Sequence, residues 1–433
     1  MVGRTNGKQR PDFDTLAHVV MERAGTLGSI SEEEGRLTRR FATPAMSQVN
    51  DLVAGWMREA GMSVRRDHIG NLLGRYSSLA SAAASASEAG GPRPVLLLGS
   101  HLDTVRDAGI YDGPLGVLAA IACVGALNES GERLPFDIEV VAFADEEGLR
   151  YHTAYLGSKA YIGALEPVCL DLVDADGVRM EEAIRAFGGD PSALIEGMPQ
   201  IEEMVGYCEV HIEQGPVLER DGLPVGVVSA IAGQTRVMVK FTGDAGHAGT
   251  VPMYMRRDAL CAAAEFVLLV EGLAREEPGL VATVGQLEVM PGASNVIPGE
   301  VVLSLDVRHQ DDAIREDACR LLKEEAAKIR SSRRVSIEWH MMQETKSVPC
   351  SGELMAYLAD AVRAAGYPVR HLASGAGHDA VVLSRVAPIA MLFVRCKGGV
   401  SHNPAESVEV GDVAVALEVM DHLVENLAAE ASR

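Results

Sequence analysis

The sequence predicts an α/β protein whose larger domain, residues 1–230 and 345–433, is interrupted by a smaller α+β sandwich over 231–344. Three observations carry this expectation. Two apolar, strand-sized runs, 94–99 and 136–144, flank an apolar helical stretch at 115–127, the βαβ alternation of a buried parallel sheet. From Gly233 the texture changes to a β-α-β-β-α-β order, which describes a small sandwich of its own. Helical spacing at 354–365 and an apolar run at 389–394 then resume the first pattern, so the larger domain is discontinuous. A chain of 433 residues also exceeds what a single core usually organises.

Taken in order, residues 13–24 and 44–60 place apolar side chains at helical spacing, with Thr43 set to cap the second helix ahead of Pro44. Residues 64–75 read as two short strands around a turn at 67–71, and 77–92 as an Ala/Ser/Gly-rich surface loop. In the sandwich, the alternation of Val237, Val239 and Phe241 marks a half-buried strand. A helix at 256–274, strands near 281–289 and 301–307, a helix at 313–330 and a strand at 335–339 follow.

Hydrophobic residues at 47% and charged residues at 23% fit an ordered globular protein. The net charge of -22 repels phosphate backbones and anionic lipid, which excludes nucleic acid and membrane as expected partners and leaves a small molecule. An anionic substrate would then need local arginines. No apolar core follows the basic start of the chain, and the seven cysteines are spread without a CxxC pair; both point to the cytoplasm and to reduced thiols. Imidazole and carboxylate remain as the available metal ligands.

Those groups gather in a few segments. Gly-Ser-His-Leu-Asp-Thr-Val at 99–105 puts His101 at a strand end, with Asp103 near enough for its carboxylate to fix the imidazole tautomer. Asp112 precedes a Gly-Pro turn, and Asp145, Glu146 and Glu147 crowd three carboxylates directly after a strand, a costly arrangement unless cations or a proton offset it. His211 lies in Glu-Val-His-Ile-Glu-Gln-Gly-Pro and His402 in Ser-His-Asn-Pro-Ala-Glu. Three imidazoles with carboxylates suit two adjacent divalent ions that share one carboxylate.

With Gly-His-Ala-Gly-Thr-Val-Pro-Met at 246–253, Asn-Val-Ile-Pro at 295–298 and the 374–379 segment, these motifs resemble the amidase (hydantoinase/carbamoylase) branch of the M20 metallopeptidase family over nearly the whole chain. The resemblance implies a mixed-sheet, metallopeptidase-like catalytic domain with an inserted lid and dimerisation domain. It implies that His101, Asp112 and His211 bind one metal, that Asp112, Glu147 and His402 bind the other, and that Glu146 is the base. His247 would stabilise the oxyanion, while Gln214, Arg236, Asn295, Arg308, Gly377 and His378 would hold a carboxylate-bearing ureido substrate. Manganese or zinc leads, with cobalt or nickel open, and a homodimer is implied. Allantoate is the leading substrate; N-carbamoyl-L-amino acids and β-ureidopropionate-type compounds are the alternatives, ahead of a peptidase, an aminoacylase or a non-catalytic homologue. Tyr151 and Thr235 depart from the family's usual residues, which bears on substrate choice.

Overall fold

The computed structural model describes residues 10–78, 94–196 and 203–432, so most of the loop expected at 77–92 lies outside the described residues. The chain divides into two compact units. One comprises Met1–Ser229, Cys350–Leu372 and His378–Arg433; the other comprises Ala230–Pro349 and Ala373–Gly377. The short return of 373–377 to the second unit has no signal in the sequence.

The first unit is built on a mixed sheet. Its strands are β1 (Ser63–Arg66), β2 (Leu72–Tyr76), β3 (Val95–His101), β4 (Asp137–Phe143), β5 (Met204–Ile212), β6 (Val225–Ile231) and β7 (Ile389–Val394), in the order β1-β2-β4-β3-β5-β7-β6. β4, β3, β5 and β7 run parallel; β2 and β6 join them antiparallel, and β1 pairs antiparallel with β2 at the edge. Every residue of β3, β4 and β7 is buried, as expected for strands covered on both faces.

The helix Pro114–Glu129 is apolar on all sides because it packs on β3 and β5 and is itself covered by the helices Phe13–Gly28 and Val410–Ala431. Each Leu or Val buried there contributes about 1.5–3 kcal/mol. The four parallel strands bring their carboxyl ends to one edge, where ligands of such sheets bind.

The strands β5 and β6 and the helix Val410–Ala431 have no counterpart in the sequence reading. In β5 the fully buried Glu209 and His211 interrupt what would otherwise be an apolar run. The opening helices, Phe13–Gly28 and Pro44–Glu59, do appear, and Thr43 accepts the Met46 N–H as a cap. No helix among the described residues is long and apolar enough to cross a membrane.

The second unit is an antiparallel sheet in the order Leu287–Met290, Glu300–His309, Gly233–Thr242, Ser336–Thr345, with Val281–Thr283 also paired to Glu300–His309. Its core joins Val237, Val239, Phe241, Leu303 and Leu305 to Phe266 and Leu322 of the helices Ala259–Glu276 and Asp312–Arg333.

Two boundaries differ from expectation. The first of these helices starts at Ala259, not at 256, because the Asp258 carboxylate caps the N–H groups of Leu260 and Cys261 while Arg256 turns back to the carbonyls of Ala248 and Val251. The run at 281–289 splits in two where Ser304 Oγ takes the Gln286 N–H.

Gly99 has a φ of +151°, and a Cβ there would stand 1.9 Å from the Val141 carbonyl oxygen of β4. Gly99→Ala must therefore separate the two central strands, costing about 3 kcal/mol in denaturant unfolding. Gly25→Ala, in a helix with nothing within 4 Å, should stabilise by up to about 1 kcal/mol. Equal midpoints for the two variants would refute this account of the strand pair.

Candidate metal centre

His101 ends β3, and His211 stands one residue before the end of the neighbouring β5, their ring centroids 6.0 Å apart. Each ring is oriented by a backbone carbonyl: His101 Nδ1 is 3.0 Å from the carbonyl of Asp103, and His211 Nδ1 is 3.0 Å from that of Ile212. Nδ1 is then the donor in both, and the Nε2 lone pairs are free for a Lewis acid.

Both Nε2 atoms face Asp112 Oδ1, at 3.8 Å from His101 and 3.2 Å from His211. On the other oxygen, His402 Nε2 lies 3.3 Å from Asp112 Oδ2 and 3.5 Å from Glu147 Oε1. Asp112 thus stands between two sets of potential ligands, His101 with His211 and Glu147 with His402; within each of the groups His101–Asp112–His211 and Asp112–Glu147–His402 the ligand atoms lie within 4.8 Å of one another. Glu146 joins His101 and Glu147 in a third such group.

The surroundings hold these atoms in place. Glu406 accepts the backbone N–H groups of Tyr111 and Asp112 at 2.8 and 3.0 Å. Gln214 Nε2 and Ser401 Oγ donate to Asp112 Oδ2 at 2.8 and 2.7 Å. Gly113 is at φ +85°, and a Cβ there would sit 2.4 Å from the His101 ring, so only glycine lets the turn approach the imidazole.

Asp103 meets His101 in two ways. Its carbonyl takes the His101 Nδ1 proton, while its carboxylate, 3.5 Å from Nδ1, accepts the amides of Glu146 and Glu147 at 3.0 Å each. Asp145, Gln214 and His402 all have φ between 54° and 57°, a left-handed conformation that costs non-glycine residues about 1 kcal/mol or more each and gathers at functional sites.

Charge is concentrated here. Burial works to raise the Asp112 carboxyl, but the imidazoles of His211 and His402 outweigh it and hold the group well below the usual range. Burial pushes Glu146 well above that range, and pushes Glu147 up to about 7 with repulsion from Asp112 adding to it. The residues fit a metal. The donors are imidazoles and carboxylates throughout, and His211 Nε2, wholly buried, has no aligned hydrogen-bond partner among the described residues.

Other expected site residues lie in the second unit. Arg236 and Arg308 come together on Asp306, and Arg308 Nη1 also donates to the Gly375 carbonyl at 2.6 Å, two residues before Gly377. His247 and Asn295 meet through the short pairing of Gly246–His247 with Val296–Ile297 and the Ala248 N–H to Asn295 carbonyl bond. The exposed His247 ring accepts the Gly249 N–H on Nδ1 at 3.1 Å, which makes Nε2 the protonated donor of the neutral ring. In the first unit His378 is buried with its ring centroid 4.6 Å from that of His211; burial and the neighbouring His211 hold it well below the ordinary histidine range.

Residues 97–426 match the model of peptidase family M20/M25/M40. The chain is 41% identical to an N-carbamoyl-L-amino acid amidohydrolase of Geobacillus stearothermophilus, over 94% of this chain and 97% of that protein. It is 40% identical to a probable allantoate deiminase of Oryza sativa subsp. japonica, over 92% and 86%. A crystal structure of an amidase of the hydantoinase/carbamoylase family from Burkholderia multivorans superposes with a TM-score of 0.86 at 32% identity, covering 97% of this chain and 98% of that one.

The chain belongs to peptidase family M20/M25/M40, in its hydantoinase/carbamoylase amidase branch. For this M20 amidase, sequence reasoning missed Glu406 as the residue that holds the Asp112 turn. The available signal was a carboxylate four residues after His402 in a polar loop. It also missed two buried carboxylates: Glu209, which takes Ser100 Oγ at 2.6 Å, and Asp379, which takes Ser158 Oγ at 2.5 Å. Neither has a sequence signature beyond a charge beside a strand or helix end.

Asp103→Ala frees the amides that carry Glu146 and Glu147, so metal affinity, read by titration against a competing chelator, should fall 10- to 100-fold. An unchanged affinity would show that the Glu146–Glu147 loop is held without Asp103.

Proposed function

We propose that this M20 amidase hydrolyses a carbamoyl or ureido C–N bond in a small carboxylate-bearing substrate, with allantoate first and N-carbamoyl-L-amino acids second. The observation that carries the reaction class is Asp112 standing between the two ligand sets, His101 with His211 and Glu147 with His402. Substrate class rests on the names of the relatives that share about two fifths of its sequence, one an allantoate deiminase and one an N-carbamoyl-L-amino acid amidohydrolase; the second of these keeps the carbamoyl amino acid as the alternative. We further propose two divalent ions per subunit, manganese or zinc, and a cytoplasmic homodimer.

His101, Asp112 and His211 would hold one ion and Asp112, Glu147 and His402 the other; when bound, the ions supply Lewis acidity to the substrate carbonyl and favour deprotonation of water. Glu146 takes a proton from the attacking water, whose oxygen bonds to the carbamoyl carbon. His247 donates its Nε2–H to the oxyanion that forms. Glu146 then returns the proton to the leaving nitrogen, the C–N bond breaks, and the carbamate product decomposes to carbon dioxide and ammonia. Arg308, with Arg236 and Asn295, holds the substrate carboxylate by charge-assisted hydrogen bonds.

Glu146→Gln keeps the shape of the site but cannot take a proton. Turnover should drop by at least about 10²–10⁴-fold with bound metal, measured by elemental analysis, unchanged; activity above a few per cent of wild type would remove Glu146 as the base. Separately, ammonia release should be lost on EDTA treatment and return with manganese or zinc, fastest with allantoate in a panel that includes N-carbamoyl-L-amino acids and N-carbamoyl-β-alanine. A higher kcat/KM for an N-carbamoyl-L-amino acid would make that the substrate class instead.

A further inference from the structure

The open face of the second unit's sheet follows from strand alternation. Along Gly233–Thr242, residues 235, 237, 239 and 241 are buried, while Gln234 and Arg236 are not; along Glu300–His309, residues 301, 303, 305 and 307 are buried, while Asp306 and Arg308 are not. The register pairs Asp306 with Arg236 and Arg308 with Gln234, so four polar side chains share one patch with Asp306 among them. The two arginines are diagonal neighbours at the spacing where like charges repel.

Asp306 is saturated. Its Oδ2 accepts Gln234 Nε2 at 2.7 Å, Arg236 Nε at 2.9 Å and Arg308 Nη2 at 2.9 Å, and its Oδ1 accepts Arg308 Nε at 2.9 Å. It therefore takes the Nε/Nη2 edge of Arg308 in a bidentate grip. Gly375 takes one proton of Nη1. A guanidinium has five N–H donors; with these three committed, one remains on each Nη, and with the Gly375 carbonyl on the Nη1 proton of the Cδ side the two left are the parallel pair that matches the two oxygens of a carboxylate.

We propose that Asp306 is the positioning residue of the substrate-carboxylate clamp: it fixes the Arg308 guanidinium so that only this outward pair of donors is left for the substrate, and it offsets the repulsion between Arg308 and Arg236. The inference rests on the reading of Arg308 as a carboxylate ligand given above. The competing explanation is a pair of ordinary surface salt bridges. Such pairs add little to stability and nothing to substrate affinity, so kinetics separate the two.

The test is a double-mutant cycle on the metal-loaded enzyme: wild type, Asp306→Ala, Arg308→Ala and the double variant, each assayed for KM, kcat, metal content and melting temperature with allantoate and an N-carbamoyl-L-amino acid. Arg308→Ala should raise KM at least thirtyfold. Asp306→Ala should raise KM about tenfold, with kcat within threefold, metal content unchanged and the melting point within a few degrees. The double variant should be no worse than Arg308→Ala, because a misplaced guanidinium no longer matters once it is gone.

Multiplying effects in the double variant, or an unchanged or lowered KM in Asp306→Ala, would overturn the positioning role. An unchanged KM in Arg308→Ala would instead sink the clamp reading itself. If Asp306→Ala does not fold, Asp306→Asn, which keeps the shape and loses the charge, enters the same cycle in its place with the same expected signs.

Discussion

Asp112 carries a negative charge where water is almost excluded, and much of the first unit is arranged to make that tenable. Taking a carboxylate out of water costs several kcal/mol unless it is paired and hydrogen-bonded. Here one oxygen faces two imidazoles and the other a third imidazole, an amide and a hydroxyl, while Glu406 grips the backbone behind it. The compensation is incomplete. Glu406 is itself a buried acid, pushed up to about 7 by burial and then by Asp112, and both oxygens of the buried Asp145 lack a hydrogen-bond partner among the described residues. Carboxyls crowded in this way repel one another until protons or cations intervene, which is the electrostatic case for divalent ions at this strand edge.

Much of this was legible in the sequence, and the reason differs by element. His101 and the acidic run at 145–147 could be placed because each follows an apolar, strand-length segment, and a polar group at the carboxyl end of a buried parallel strand has few roles. His211 could be singled out as a residue, but its strand could not, since the buried Glu209 and His211 give β5 the texture of a polar segment. Asp103 lay within reach of His101 by spacing alone, yet spacing does not reveal which of two acceptors on one residue a ring will use. The carbonyl takes the shorter contact, while the carboxylate also accepts two amides. Gln214 was expected with the substrate residues, and its bond to Asp112 was not foreseen; side-chain reach across a sheet edge has no one-dimensional signature.

In the second unit a single rule sorts structure from chemistry. Alternation along two antiparallel strands sends Val237, Val239, Leu303 and Leu305 to the helices and leaves Arg236, Asp306 and Arg308 on the other face. Thr235 shows the same rule. It is buried on the helix side and takes a hydrogen bond from Arg315, which is wholly buried in the helix Asp312–Arg333. Thr235 therefore shares no face with Arg236. Tyr151 is likewise packed edge-on against Phe41, 6.2 Å between centroids, in a cluster apart from the ligands.

The division of labour between the units has a consequence for specificity. The groups able to bind metal, with Glu146, belong to the first unit, whereas Arg236, Asn295, Arg308 and His247 belong to the second. In the first set the potential ligands close on Asp112, which also takes bonds from Gln214 and Ser401, so a substitution there disturbs several neighbours at once. In the second set Arg236 and Arg308 pair with Asp306 and stay partly exposed. Under the proposed carboxylate clamp, small changes beside these arginines would alter which molecule is held, since a single methylene shifts discrimination by about 1–3 kcal/mol.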